Sequence, residues 1–428
     1  MSTLNIYDKI KNMEHDFTSF LDRICREYAY RPAICETPDD TANFITYAGL
    51  RQRIKNRIED FKDQKTVVIR AVPSAAWVID MFAAAEGGHQ TLLEDITAPE
   101  IPASVFDSAE EYHPGCLLFF TSGTTGSSKA VVLSQAALLR SAWNGQQMLP
   151  CHQEDRLLSM LPLSHVFGFI CTLIWPLSQG ALVQIGRGMR GFATDPRAYR
   201  PTVLAAVPSL LGFLLKTNAL NPELRVILIG AGPCRHELLE SVKAMDISVF
   251  FGYGLTETAS GLAISQPGLD PYAMALCPDT KVRIAKDGEL LVRTPCMMDG
   301  YFNDPEETAS RIENGELHTG DLAEIKNGAL YLKGRKSDVL VLESGVKIFC
   351  PEAEEKLNAM LGRDLALTLR HNVLTLVVNA PQRDYDAITS KLNEYNRDQP
   401  IGKKIQVLKL CDKPLPRTAT GKLQRWKI

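Results

Sequence analysis

Between Cys116 and Ser134 the chain reads CLLFFTSGTTGSSKAVVLS, and this stretch constrains the fold more than any other. The apolar run Cys116 to Phe120 has the length and composition of a buried strand, and a second, Val131 to Leu133, follows a loop built almost wholly of Gly, Ser and Thr. Small residues let main-chain N–H groups come close to an anion. The hydroxyls of Thr121, Ser122, Thr124, Thr125, Ser127 and Ser128 can donate to phosphate oxygens, and Lys129 adds positive charge at the exit. The loop is a candidate phosphate cradle of a kind other than the Walker loop. Only two residues separate Gly123 from Gly126, no Gly-Lys pair is present, and Ala130 offers no hydroxyl to a metal. That spacing argues against a P-loop kinase or NTPase, and the lysine leading straight into an apolar run argues against a plain Ser/Gly linker.

The chain has 428 residues, 45% of them apolar, enough for two or more domains with substantial cores. A net charge of -3 shows no basic excess, so neither nucleic acid nor an anionic membrane is expected as main partner; the ligand should be small. Ten cysteines stand singly, and the first residues carry charges where a signal peptide needs an apolar core, so a cytoplasmic location is expected. Residues 159–186 lack formal charge, but Pro162, Pro176, Gln179 and Gly180 divide them; they read as a buried helix and a buried strand rather than a membrane span.

Helix and strand patterns alternate through the first 250 residues, with strand-like runs at 66–72, 156–160, 181–185, 202–207, 224–229 and 247–251. Such alternation predicts an α/β fold with a largely parallel, doubly wound sheet, in which ligands bind beyond the carboxyl ends of strands. Three post-strand segments are therefore candidates. GAGP (230–233) can let a flat ring approach the backbone, or it is an ordinary turn. GYGLTET (252–258) places Tyr253, two threonines and Glu257 together; the glutamate could hold Mg²⁺, or favour the start of a helix capped by Thr256. LPLSHVFGF (161–169) sets His165 in apolar surroundings, where a lone histidine is more often a satisfied core residue.

From about Thr280 the pattern changes to hairpins: TKVRIA, the turn KDG and ELLVR, then GALYLK beyond HTGDLAEIKN. Asp321 of HTGD could accept hydrogen bonds from a ribose diol, although an aspartate in a glycine turn is usually only a turn residue. GRKSD (334–338) reads as a linker into an α+β unit of about ninety residues. That unit ends in PLPRTATGKLQRWKI, which places Lys422 in a polar loop between Arg417 and Arg425.

Read together, these motifs resemble the adenylate-forming superfamily of acyl-CoA synthetases, luciferases and peptide-synthetase adenylation domains. FITYAGL (44–50) looks like its early element, TSGTTGSSK its phosphate loop, YGLTET its adenylate and magnesium element, GELLVRTPCMMDGYFNDPEET its β-lobe element and HTGD its ribose-binding turn; GRKSDVLVLESGVKIFCPEAEE is similar to its hinge segment and PRTATGKLQR to its catalytic-lysine loop. The resemblance implies a large domain over 1–335, with doubly wound mixed sheets and a β-rich lobe, and a small mobile α+β domain over 336–428. It implies an AMP-forming acid–thiol ligase using ATP and Mg²⁺, with a carboxylic acid as substrate and coenzyme A or a phosphopantetheinyl acyl carrier protein as acceptor. An adenylate-only acyl-AMP ligase and an inactive nucleotide-binding homologue are the alternatives; the presence of Lys422 and Glu257 speaks against the latter.

By the same resemblance Thr121, Ser122, Gly123, Thr124, Thr125, Gly126 and Lys129 hold phosphates, and Lys422, Thr256, Glu257 and His165 are catalytic, with Glu257 on the metal. Asp321 and Arg335 hold the ribose, and Tyr253 with Gly230, Ala231 and Gly232 flanks the adenine. His165, Val166 and Gly254 line the acid pocket, Ser337 is the hinge, and Gly345 and Lys347 serve the thiol step. Acetate-specific relatives carry Trp at the position of Gly254, so larger acids are expected; Val166 stands where amino-acid-activating domains carry Asp, so an amino acid is not. The segment between GGHQTLLED and the glycine loop is shorter than usual, so the sequence resembles an N-terminally shortened member.

Overall fold

The computed structural model describes residues 14–38, 44–95, 112–121, 129–232, 234, 236–266, 270, 272–343, 345–417 and 423–428. Two sheets with helices packed on them make up the part before Lys336. The smaller runs in parallel through Thr66–Ile69, Gln90–Leu93 and Leu117–Phe120. It then turns antiparallel at Ala130–Leu133 and accepts Gly300–Tyr301 at its edge. The larger holds six parallel strands in the order Pro32–Cys35, Leu182–Ile185, Arg156–Ser159, Val203–Ala206, Val226–Ile229 and Ser248–Leu255. The expected doubly wound parallel sheet is therefore present, but it is continuous with the β-rich lobe. Ser248–Leu255 pairs in parallel with Val226–Ile229 through its first half, and antiparallel with Ser260–Ser265 through its second.

Local chemistry explains the helices that cover these sheets. Ser74, Ser134 and Thr46 cap their helices by accepting main-chain N–H groups of Trp77, Ala137 and Gly49. Leu50 and Ile54, one turn apart on Tyr47–Ile58, are buried, each contributing on the order of 2 kcal/mol by leaving water. Residues 166–178 form the expected buried helix, with a π turn at Ile170–Ile174 just before Pro176, whose ring nitrogen cannot donate.

Two expectations are corrected in the lobe. GYGLTET is not a loop after a strand: the strand runs on to Leu255, and Thr256–Thr258 is a single 3₁₀ turn before the chain reverses, so Thr256 caps no helix. Nor is HTGD a turn. It lies inside the eleven-residue strand Glu316–Lys326, where Gly320 at φ +71 and a register slip between Leu322 and Ala323 make a bulge. Beyond Asp338, Leu365–Arg370, Val373–Asn379 and Val407–Cys411 form a separate sheet, packed with Cys350–Leu361 and Tyr385–Arg397 around its own core.

Candidate active site

Three of the residues expected at a nucleoside meet at one place. Asp321 and Arg335 are register partners on neighbouring antiparallel strands, and Arg335 Nε lies 2.8 Å from Asp321 Oδ1. Tyr253 reaches across from Ser248–Leu255 and donates its hydroxyl to Asp321 Oδ2 at 2.7 Å. Both Tyr253 and Asp321 are buried. Burial, and the Asp321 charge beside it, push the Tyr253 phenol well above its ordinary value, so it stays a donor. Close by in sequence, Gly320 N–H donates to the buried Glu289 at 2.9 Å, which stiffens the bulge that presents Asp321.

The turn after Val226–Ile229 is shaped by packing. A Cβ on Gly230 would lie 2.8 Å from the Phe167 ring, and Ala231 holds φ +63, a left-handed conformation that costs a non-glycine residue about 1 kcal/mol. Gly230 thus rests against the residue two places after His165. His165 itself is not a satisfied core residue: its side chain is 35% exposed at the start of helix 166–178, with Nε2 3.9 Å from Asp95 Oδ2. Val166 is buried in the main core. At Gly254 a Cβ would come within 1.5 Å of the Ser260 carbonyl oxygen, so glycine is demanded by the facing strand. Strand pairing alone therefore accounts for a glycine at this position.

The candidate phosphate loop joins two antiparallel strands, and Thr121 N–H donates to the Lys129 carbonyl at 2.9 Å to close its neck. Ser122, Gly123, Thr124, Thr125 and Gly126 lie outside the described residues. Lys129 forms an ion pair with Glu307, and its Nζ stands 5.2 Å from the centre of the Tyr301 ring. The Tyr301 hydroxyl donates to Glu257 Oε1 at 2.8 Å. Lys129 and Glu257, 128 positions apart in sequence, are thus joined through one aromatic ring. Neither Tyr301 nor Glu307 carried a role in the sequence reading, although both lie in the quoted β-lobe motif. Their position beside Lys129 depends on Gly300–Tyr301 pairing with Val131 and Val132, which no local pattern announces.

Ser337, the candidate hinge, is exposed between two anchors. Lys336 Nζ binds Asp287 at 2.7 Å and Glu289 at 2.9 Å on the lobe, whereas Asp338 is held by Arg425 Nε at 3.1 Å, and Arg425 also grips Glu354. Gly345 at φ +80 turns the hairpin between Val339–Val341 and Lys347–Phe349, and Lys347 is exposed. Lys422 lies outside the described residues; Arg417 and Leu423, on either side of the undescribed stretch, pair as an isolated antiparallel bridge.

Residues 93–302, which hold the glycine loop, His165, the Gly230 turn, Glu257 and Tyr301, match the family described as AMP-binding enzyme. This segment belongs to the AMP-binding enzyme family. Asp321, Arg335 and the hinge lie beyond the matched AMP-binding segment. The chain is 32% identical over 257 residues to the 2-succinylbenzoate–CoA ligase of Bacillus subtilis strain 168, covering 56% of this chain and 52% of the relative. To the ligase of that name from Listeria innocua it is 28% identical over 332 residues, 73% and 69%. The chain thus spans about half the length of the first of these curated relatives. The fold matches that of O-succinylbenzoate coenzyme A synthetase from Bacillus subtilis in complex with AMP (TM-score 0.79, 24% identity, 96% of this chain and 97% of that one). It also matches an anthranilate CoA ligase in complex with anthranoyl-AMP (TM-score 0.79, 17% identity, 98% of each).

Proposed function

We propose that the protein is an AMP-forming carboxylic acid–thiol ligase. The observation that carries this reading is the convergence of Tyr253 and Arg335 on Asp321 in the same chain as an AMP-binding segment whose glycine loop ends in Lys129. In the first half-reaction a carboxylate oxygen bonds to the α-phosphorus of ATP, the bond to the bridging oxygen breaks, and pyrophosphate leaves. In the second, a thiolate attacks the acyl carbon and AMP departs. An anion approaching a polyanion needs fixed positive charge and N–H donors, which the loop 121–129 and Lys422 would supply. Asp321 and Arg335 would bind the ribose, and Tyr253 with the 230–232 turn the adenine. His165, partly exposed at its helix start, would face the acid.

Among the described residues no three His, Cys, Asp or Glu side chains could enclose a metal, yet Glu257 offers a carboxylate held by a neutral phenol. That fits Mg²⁺, which is commonly bound by one or two carboxylates together with substrate phosphates. There it would draw negative charge from the departing pyrophosphate.

Residues 336–428 would form the mobile unit carrying Lys422, pivoting at Ser337, with the segment around Gly345 and Lys347 serving the thiol step. A location in the cytoplasm is supported by ten cysteines without disulfides; among the described residues no helix is long and apolar enough to cross a membrane. We place 2-succinylbenzoate first among candidate acids because the relatives are ligases of that acid, and coenzyme A first among acceptors for the same reason.

The test is pyrophosphate release with 2-succinylbenzoate, aryl acids and aliphatic acids of increasing length, with coenzyme A, with a holo-carrier protein, or with neither. The reading predicts acid-dependent release and multiple turnovers only with a thiol. ADP as product, or ATP binding with no acid giving pyrophosphate, would contradict it.

A further inference from the structure

Tyr301 has a position that no role in the two half-reactions accounts for. It is 3% exposed, and three separate ties fix it. Its main-chain N–H donates to Thr308 Oγ1 at 2.9 Å, its strand pairs with Val131 two residues after Lys129, and its ring lies under the Lys129 ammonium. The same short segment holds Glu257 twice: Met298 N–H donates to the Glu257 carbonyl at 2.8 Å, and the Tyr301 hydroxyl donates to its Oε1 at 2.8 Å.

We propose that Tyr301 is a positioning residue that sets the Glu257 carboxylate, and couples it to the phosphate-loop lysine, for a divalent cation arriving on ATP. The inference rests on the reading of Glu257 as the metal-facing carboxylate. Its physical content lies in the choice of partner. A carboxylate fixed by Arg or Lys has its charge cancelled and competes poorly for a cation, whereas a phenol fixes one oxygen and leaves the negative charge in place. Because the hydroxyl and the ring belong to one side chain, any shift of the strand leaving the glycine loop also moves the bond to Glu257.

The probe is Mn²⁺ in the presence of an ATP analogue with a methylene group between the α and β phosphorus atoms, which permits no turnover. Free Mn²⁺ is read by electron paramagnetic resonance for wild type, Tyr301→Phe, Glu257→Gln and the double variant. Phe keeps the ring and its packing, and the thermal midpoint of the nucleotide-free variant verifies that it folds. Tyr301→Phe is expected to weaken Mn²⁺ binding about 10-fold, the scale for losing a partner of a metal ligand. Binding of the analogue without metal should be unchanged, and Tyr301→Phe should add nothing to Glu257→Gln. An unaltered Mn²⁺ affinity in Tyr301→Phe, equal losses with and without metal, or losses that add in the double variant overturn the proposal. Loss of Mn²⁺ binding in wild type would overturn it together with the Glu257 reading. Absence of pyrophosphate release from every acid would sink the ligase reading while leaving the Mn²⁺ titration to decide this one.

Discussion

Asp321 shows how a single residue can look ordinary in sequence and not in space. HTGD suggests a turn, yet the structure makes it a bulge inside a strand whose carboxylate is met by Tyr253 and Arg335. Tyr253→Phe removes one donor from a buried carboxylate, so stability should fall by about 1.5–3 kcal/mol, the usual worth of a hydrogen bond to a charged group. Urea denaturation measures it, and an unchanged midpoint and slope would show that this bond carries no weight. Gly254 gives the opposite lesson. A substitution there meant to narrow the acid pocket should instead disrupt pairing with Ser260–Ser265, because even Ala drives a Cβ into the Ser260 carbonyl. Gly254→Ala is expected to lose about 3 kcal/mol or more. A folded, fully stable Gly254→Ala would show that the facing strand does not require glycine there.

Among the elements, the proposed hinge is marked by what grips its two sides. Lys336 is tied to the lobe hairpin and Asp338 to Arg425, so the freedom left to the backbone falls at Ser337. Ser337→Pro fixes one of the two soft dihedrals there, and should slow thioester formation more than acid-dependent pyrophosphate exchange; equal rates in both assays would place the pivot elsewhere. The lobe-side grip is pH-dependent. Burial alone would raise the Glu289 carboxyl, but Lys336, the Gly320 N–H and His318 outweigh it and hold it below its ordinary 4.5. Since the folded value is the lower one, its contribution is complete above about pH 4.5 and is lost as pH falls through the folded value. Lys336→Met should therefore flatten the decline of the thermal midpoint below that pH, and parallel curves for the two proteins would contradict the assignment. Element types were legible from periodicity and caps: Ser74 and Ser134 announce helices that are there. Strand pairing was not, because the contacts of Gly300–Tyr301 with Val131 and Val132 join residues far apart in the chain.

At the scale of the whole molecule, one strand carries the organisation. Ser248–Leu255 belongs to the parallel sheet at its start and to the antiparallel lobe at its end, and it bears Tyr253 just where it changes partners. Alternating patterns made the two architectures readable in sequence; their fusion was not, since nothing in VFFGYGL marks the switch. The glycine loop, Glu257 and His165 lie before residue 302, Asp321 and Arg335 in the lobe, and Lys422 near the end of the chain, so the proposed chemistry would need Lys422 to reach the rest of the site. Lys422→Ala is accordingly expected to lower adenylation by at least ~10²-fold while sparing thiol transfer from supplied acyl-adenylate, and equal loss in both half-reactions would remove Lys422 from the first. The central claim is that a carboxylate oxygen of the acid attacks the α-phosphorus of ATP. It is tested most directly by supplying 2-succinylbenzoate, or whichever acid supports pyrophosphate release, with ¹⁸O in its carboxylates, and analysing the AMP after thioester formation by mass spectrometry. One ¹⁸O is expected in the AMP phosphate for each acid consumed; unlabelled AMP, or label in inorganic phosphate beside ADP, would exclude attack by the carboxylate on the α-phosphorus.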